Sequence, residues 1–428
     1  MAATTRVRAA AGPESGADAV TPRPAPGHGS QGPVRLRQLV LVEVAAAVVV
    51  TAWAAARALL APAMALALVL VLLALVRRGR RPVTEWLASA VALRRRGGRA
   101  AAWPPAAGTD PRLAPLMECE PALRTASFAV RNDRTLGLVG DGTFLTAVLR
   151  VEAVDRPLRA DRVAGALPLG LLRDALDIDD IRLESAQVVQ TTLPSPAPDL
   201  PAGALPVANY APLQALTGSP AVRQTWVALK FDPELCPAAV EARGGGTEGA
   251  RRCLLRAVDQ LASRLRGAGF AATPLTEDGL TAALAAAADL NPAATDRAAL
   301  APVPARRTAE SPRAWRCDDR WHTTYWVSRW PRLGGGAAPL PQFAALLTSL
   351  PALSTTLSLT LGRGRTVHRR HAPTVSGHIR ICARSADELH ETGRELERAA
   401  KAVRAGIVRL DQEQVPGVLA TLPLGGTR

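Results

Sequence analysis

LRQLVLVEVAAAVVVTAWAAARALLAPAMALALVLVLLALVRR, residues Leu36–Arg78, is almost wholly apolar, and its reading decides how the rest of the chain is organised. A helix crossing a ~30 Å hydrocarbon core needs about twenty residues at ~1.5 Å each. The run holds two such lengths, with Arg57 and Pro62 near its middle. A transmembrane helical hairpin is therefore expected over residues 34–78, with spans near Leu36–Ala56 and Leu59–Val76. Arg35 and Arg37 precede the first span. Arg77, Arg78, Arg80, Arg81, Arg94, Arg95, Arg96 and Arg99 follow the second, and only Arg57 lies between. The positive-inside bias then puts both termini in the cytoplasm, in a multi-pass protein of the cell membrane. The run is too long for a signal peptide and lacks its cleavage site. A hairpin buried in a soluble core is the weaker alternative.

Glu43 stands inside the first expected span, where an unpaired acid costs a few kcal/mol. Arg57 is fourteen residues away, about 21 Å along a helix, and is out of reach. Two readings stay open. Glu43 pairs near the inner surface with Arg77 or Arg78, or it meets a basic residue of another membrane subunit.

With 428 residues, the chain has over 300 left for soluble structure, enough for two domains of ordinary size. Its formal net charge is +15, carried almost entirely by arginine, with Lys230 and Lys401 the only lysines. The cluster Arg77–Arg99 suits anionic lipid headgroups beside the anchor. The other arginines are spread singly among acids without a nucleic-acid motif, so no nucleic-acid partner is expected. Cys119, Cys236, Cys253, Cys317 and Cys382 are odd in number and show no metal-ligand spacing, which suits free thiols in a reducing compartment.

In chain order, residues 1–33 are Gly-, Pro- and Ala-rich and read as a disordered tail. Residues 79–115 read as a basic amphipathic helix and a Gly/Pro linker. The helix has Trp86, Leu87, Ala90 and Val91 on one face, and the linker begins at Gly97. Residues 116–290 then give strands and helices in the order β-α-β-β-α-β: Thr143–Glu152, Pro168–Leu176, Ile181–Leu193, Val222–Phe231, Gly249–Leu265 and Phe270–Leu275, followed by a helix at Glu277–Leu290. A short hairpin, Phe128–Arg131 with Leu136–Val139, precedes them, and Pro194–Pro212 reads as a loop. After a linker at 291–313 the order repeats over 314–428: Trp321–Trp330, Pro341–Leu350, Thr355–Leu361, Val375–Ala383, Asp387–Gly406 and Ile407–Leu410. The fold class expected is α+β, a membrane hairpin followed by a sandwich-like region of two ferredoxin-like units.

Templates for chemistry mostly fail. There is no GxxxxGK[ST], GxSxG or HExxH. Gly140-Asp141-Gly142 reads as a tight turn. The spaced acids Asp177 and Asp179 are what a metal-dependent sugar transferase would place on a divalent cation, although a helix-to-strand connection is enriched in Asp for turn reasons alone. Cys317, Asp318 and His322 suggest a thiol with a base. As a strand, however, Trp321, Thr323, Tyr325 and Val327 face one way and His322, Thr324, Trp326 and Ser328 the other. Aromatic sheet faces at a subunit or domain contact are the better account. His368, His371 and His378 lack a fourth ligand for a metal. Two function classes stand on the residues: a membrane-anchored scaffold subunit, or a membrane-associated enzyme of sugar-transferase type using Asp177 and Asp179. No cofactor is expected, and the candidate partner contacts are Glu43, Trp86, Trp321, Trp326 and Trp330.

Several strings carry a more specific signal: Leu36–Leu41 into the hairpin, Pro82–Leu87 (PVTEWL), Leu136–Leu149 (LGLVGDGTFLTAVL) and Asn209–Leu213 (NYAPL). They continue in Trp226–Cys236 (WVALKFDPELC), Trp315–Trp330 (WRCDDRWHTTYWVSRW) and Arg409–Gly425 (RLDQEQVPGVLATLPLG). Together and in this order they resemble the EccE family of type VII (ESX) secretion systems in actinobacteria. The resemblance implies a structural, non-catalytic subunit of a cytoplasmic-membrane secretion complex, beside partners of the EccB, EccC and EccD types. ATP hydrolysis would belong to the EccC partner, in keeping with the missing P-loop. It supplies no catalytic residues, and it leaves Trp315–Trp330 and Arg409–Gly425 as either partner contacts or core.

Overall fold

The alternating segments of the chain beyond residue 110 supply twelve strands of one 13-stranded sheet. The computed structural model describes residues 23–24, 31–55, 60–75, 77–78, 81–102, 109–130, 134–153, 167–194, 204–217, 222–302, 304–331, 344, 346, 350, 352–363 and 374–426. The sheet's strands are β1 Arg124–Ala129, β2 Thr135–Gly140, β3 Leu145–Ala153, β4 Ser185–Leu193, β5 Val222–Phe231 and β6 Phe270–Pro274. They continue with β7 Thr308–Glu310, β8 Trp315–Cys317, β9 Arg320–Arg329, β10 Ser354–Gly362, β11 Thr374–Ala383 and β12 Gly406–Arg409. The last member is Arg23–Pro24, inside the expected disordered tail, which pairs in parallel with Thr374–Val375. Residues 1–22 lie outside the described residues.

Across the sheet the order is β7-β8-β9-β11-β10-β4-β5-β3-β2-β1, with β6 on β3 and β12 on β9. Four strands of the first half therefore lie as β6-β3-β5-β4, and four of the second as β12-β9-β11-β10. The halves meet where β4 pairs antiparallel with β10. Equivalent residues can be followed through the registers. Val188 faces Val227, which faces Leu149, which faces Pro274; Leu357 faces Ile379, which faces Tyr325, which faces Arg409. At the seam Val188 pairs with Leu359, and Leu357 with Gln190. This exchange places a local two-fold through the Val189–Ser358 pair.

Helices cover both faces. α1 (Gln31–Ala55), α2 (Leu60–Leu75) and α3 (Val83–Ala102) precede the sheet. Within it come α4 Ala114–Cys119, α5 Leu169–Asp174, α6 Leu205–Thr217, α7 Pro237–Glu241, α8 Gly246–Gly267, α9 Glu277–Ala287, α10 Pro292–Leu300, α11 Ala386–Ala402 and α12 Gln414–Ala420. On one face α8 packs Cys253, Leu254, Ala257, Leu261 and Leu265 on Leu149, Val227 and Phe231, while α11 packs Leu389 and Leu396 on Tyr325, Ile379 and Ile381. On the other face α9 and the chain after Gln414 bury Leu280, Leu284, Val418, Leu422 and Leu424 against Val148, Val189 and Trp226. The closing segment 409–425 is thus core, and it crosses the seam. Gln187 on β4 donates to the Ser358 hydroxyl at 2.8 Å and the Ala420 carbonyl at 2.9 Å, and it accepts from the Gly425 amide at 2.7 Å.

Three expected loops or linkers hold regular structure. α3 runs through Gly97 and Gly98 to Ala102, although each glycine costs a helix about 1 kcal/mol. The expected linker 291–313 contains α10 and β7; Asn291 caps α10 by accepting from the Ala293 amide at 2.9 Å, and Pro292 takes the first helical position. α4 begins at the end of the first linker, and α6 occupies the second half of the expected loop Pro194–Pro212, with Pro212 inside the helix. The expected strand Ile181–Leu193 breaks after Arg182, where Ile181–Arg182 forms its own small hairpin with Asp177–Ile178. The expected helix Pro341–Leu350 lies largely outside the described residues.

The apolar run forms two helices packed on each other, α1 and α2. Among the described residues no helix is long and apolar enough to cross a membrane. α2 has 16 residues, about 24 Å at 1.5 Å per residue, against a core of ~30 Å. The fold therefore supports a helical pair but not the two spans expected at Leu36–Ala56 and Leu59–Val76. Its outward surface is strongly apolar: Leu39, Val50, Trp53, Met64 and Leu68 are each more than half exposed.

Candidate functional site: contact surfaces and a buried polar cluster

The five candidate contacts do not converge. Glu43 is exposed on α1, while the side chains of Arg77 and Arg78 lie outside the described residues. Trp86 is half-buried on α3. Trp321 is half-buried on the α11 face of β9, with the Arg316 guanidinium 5.8 Å from its ring. Trp326 is half-buried on the opposite face, directly across from His378 on β11. Trp330 lies over Gly377, where an added Cβ would come within 2.5 Å of the indole ring, and it packs between two core clusters. The alternation thus assigns the faces of β9 as the pattern requires, and Trp330 is largely a packing residue.

The thiol–base reading does not survive the geometry. His322 is fully buried, and its Nε2 lies 3.8 Å from the Cys382 sulfur, on the neighbouring strand. Burial, with Arg380 and Arg320 nearby, holds the imidazole well below its ordinary pKa. Burial pushes both the Cys382 and Cys317 thiols up. Activation of a thiol needs the opposite shift. His368 and His371 lie outside the described residues.

Around His322 lies a cluster that sequence reasoning missed. Arg320 donates to Asp289 at 2.5 Å, and Ser354 donates to the other carboxylate oxygen at 2.8 Å. Arg380 donates to the Ala287 carbonyl, and burial lowers its pKa to about 10. Its register partners are Thr324 on β9 and Thr356 on β10. All these groups are less than a tenth exposed. The available signal was parity. Arg320, His322 and Thr324 alternate on one face of a strand otherwise rich in aromatics, and that face proves to be covered.

The acids Asp177, Asp179 and Asp180 occupy the rim of an open pocket, but each has an arginine. Asp177 pairs with Arg363, Asp179 with Arg256 at 3.1 Å and Asp180 with Arg243 at 2.7 Å. The Arg243 hydrogen bond holds Asp180 below the usual carboxylate range. Carboxylates so engaged would have to give up these partners to hold a cation. Among the described residues no group of His, Cys, Asp and Glu is arranged for a metal. Gly140-Asp141-Gly142 is a turn: Asp141 accepts from the Thr143 amide and hydroxyl at 2.8 and 2.7 Å, and Gly142 has φ +96°.

Two further carboxylates missed by the sequence reading organise the region where α3 meets the sheet. Glu118 is buried and accepts from the amides of Arg307 and Thr308 and from the Thr308 hydroxyl, at 2.9, 2.8 and 2.6 Å. Glu310 takes the Arg96 guanidinium in a two-bond fork at 2.9 and 3.0 Å and also accepts from the Val415 amide. Arg96 continues to the Gln412 carbonyl at 2.6 Å, and Ser89 donates to Glu413 at 3.3 Å. α3 is thereby tied to the body.

No curated protein matches this sequence significantly. A solved structure described as "alkyldihydroxyacetonephosphate synthase in P212121" aligns at 8% identity and a TM-score of 0.26, over 61% of this chain and 40% of that one. The chain thus spans under half of that protein, a likeness too distant to bear on fold or function. Residues 219–327, from just before β5 to near the end of β9, match the family model described as "Putative type VII ESX secretion system translocon, EccE". Over this segment, which is about a quarter of its length and holds α8 and most of the aromatic strand, the chain is similar to the EccE family.

Proposed function

We propose that this protein is a structural, non-catalytic subunit of a cytoplasmic-membrane type VII secretion complex. It holds a cytosolic body beside subunits of the EccB, EccC and EccD types. The family match over residues 219–327 carries the reading. Membrane association is supported by the exposed apolar surface of α1 and α2, of a kind that soluble monomers rarely leave bare. In this reading the pair inserts as a hairpin from the inner side, with both termini in the cytoplasm. Glu43 then sits at the level of the inner headgroups or meets a neighbouring subunit. The segments 116–290 and 314–428 act as two ferredoxin-like units fused through β4 and β10 into one body. Trp321 and Trp326, half-buried on opposite faces of β9, are the aromatic candidates for contact with a neighbouring subunit.

The sugar-transferase alternative rests on Asp177 and Asp179, and both are held by arginines. Replacing both with alanine is expected to leave assembly and substrate export within twofold of wild type. Abolished export from a complex that still assembles would contradict the non-catalytic reading.

A further inference from the structure

α3 has two working sides. Arg96 and Ser89 face the body and bond to Glu310, Gln412 and Glu413. Leu87 lies nine residues before Arg96, about two and a half turns, and so on the opposite side of the helix. That outer side carries Leu87, Val91, Arg94, Arg95 and Arg99, all exposed. Leu87 is 43% and Val91 47% exposed. The side is graded along the helix. Its apolar half is nearer α2, with which α3 is in contact, and its basic half points away. Among the described residues none of Arg94, Arg95 and Arg99 forms an ion pair. Leu87, Ala88, Val91 and Ala92 line a shallow groove of about 560 Å³, with Arg95 and Arg99 at its other end beside the body-bound Arg96.

We propose that this groove takes an anionic phospholipid of the membrane that α1 and α2 enter, with the phosphate on Arg95 and Arg99 and the first methylenes along Leu87 and Val91. The occupant follows from three observations. The groove's own lining is cationic at one end and holds no acid; the rest of that lining is apolar; and α3 is in contact with α2 of the exposed apolar helix pair. A free phosphate would use the cationic end but not the apolar lining, and an apolar peptide would use the apolar lining but not the cationic end. The inference rests on the membrane reading above and adds an orientation. With Arg96 locked on Glu310, a lipid-bound α3 holds the body against the inner leaflet by its β7 side, so the helix is a strap between bilayer and sheet.

The test uses full-length protein with Val91→Cys in a Cys119→Ser background, labelled with a small fluorophore and reconstituted into vesicles. The vesicles are phosphatidylcholine alone or phosphatidylcholine mixed with phosphatidylglycerol, each containing headgroup-nitroxide lipid as quencher. Flotation reports membrane entry independently of the strap. The expected result is flotation in both vesicle types and quenching that is markedly greater with phosphatidylglycerol. In Arg95→Gln/Arg99→Gln the strap's preference for the anionic surface falls by about 30-fold, the equivalent of two basic charges at a lipid surface. Equal quenching in both vesicle types, or quenching unchanged in the double variant, would overturn the strap while flotation upholds the membrane reading. Failure to float would overturn the membrane reading itself, and with it the lipid as occupant. An acidic partner segment as the true occupant would appear as a label shielded only when other membrane subunits are present.

Discussion

Asp289 is the carboxylate on which the buried cluster of the second half depends. It takes the Arg320 guanidinium and the Ser354 hydroxyl, and its charge also acts on Arg380. Removing one partner of a buried pair leaves an uncompensated charge in low dielectric. Asp289→Ala is expected to lower unfolding free energy by about 3–5 kcal/mol in urea titrations, far more than the loss of one surface ion pair. Arg380→Met removes a buried charge and keeps much of the apolar volume; it should change stability by under about 1 kcal/mol or raise it. His322 gives the cluster a pH dependence. Its folded pKa lies below its unfolded value, so the folded state favours the neutral ring. That contribution is complete above the unfolded pKa near 6.5 and is lost as pH falls below it toward the folded value. Thermal midpoints should therefore drop between about pH 6.5 and pH 5, and His322→Asn should flatten that part of the profile.

Among elements, the strands were the legible part. Period-two alternation marked β3, β5 and β9, and the burial of Tyr325 and Val327 under α11 follows from the same parity. What escaped was structure whose stability comes from a distant partner. α3 continues through two glycines because Arg96 finds Glu310, more than two hundred residues later. α10 is the contrary case, since its Asn291-Pro292 start was on the page in an expected linker. The buried acids Glu118 and Glu310 had no local signal at all. At this scale Arg96→Gln should release α3, seen as faster amide exchange over 86–99 with the sheet unchanged. Leu422→Ala in the closing segment should cost about 3 kcal/mol, since the side chain is fully buried beneath the seam. Gly377→Ala, which drives a methyl into Trp330, should cost about 1–3 kcal/mol by the same measurement.

At the scale of the whole molecule, the two halves share one sheet through β4 and β10, and the closing chain bolts them together at Gln187, Ser358 and Ala420. The order of the strands in each half could be read along the chain. The seam could not, because edge pairing between units separated by over 150 residues leaves no local pattern. The membrane question is divided in the same way. Apolar length suggested two spans, whereas the described helices show an apolar pair whose second member has 16 residues. The direct test is purification of the tagged full-length protein in mild detergent, followed by identification of its membrane partners. The account predicts co-purification with the EccB-, EccC- and EccD-type subunits, reduced by deletion of residues 36–78. Isolation of the intact chain free of all of them, under conditions where those subunits still purify together, would contradict it.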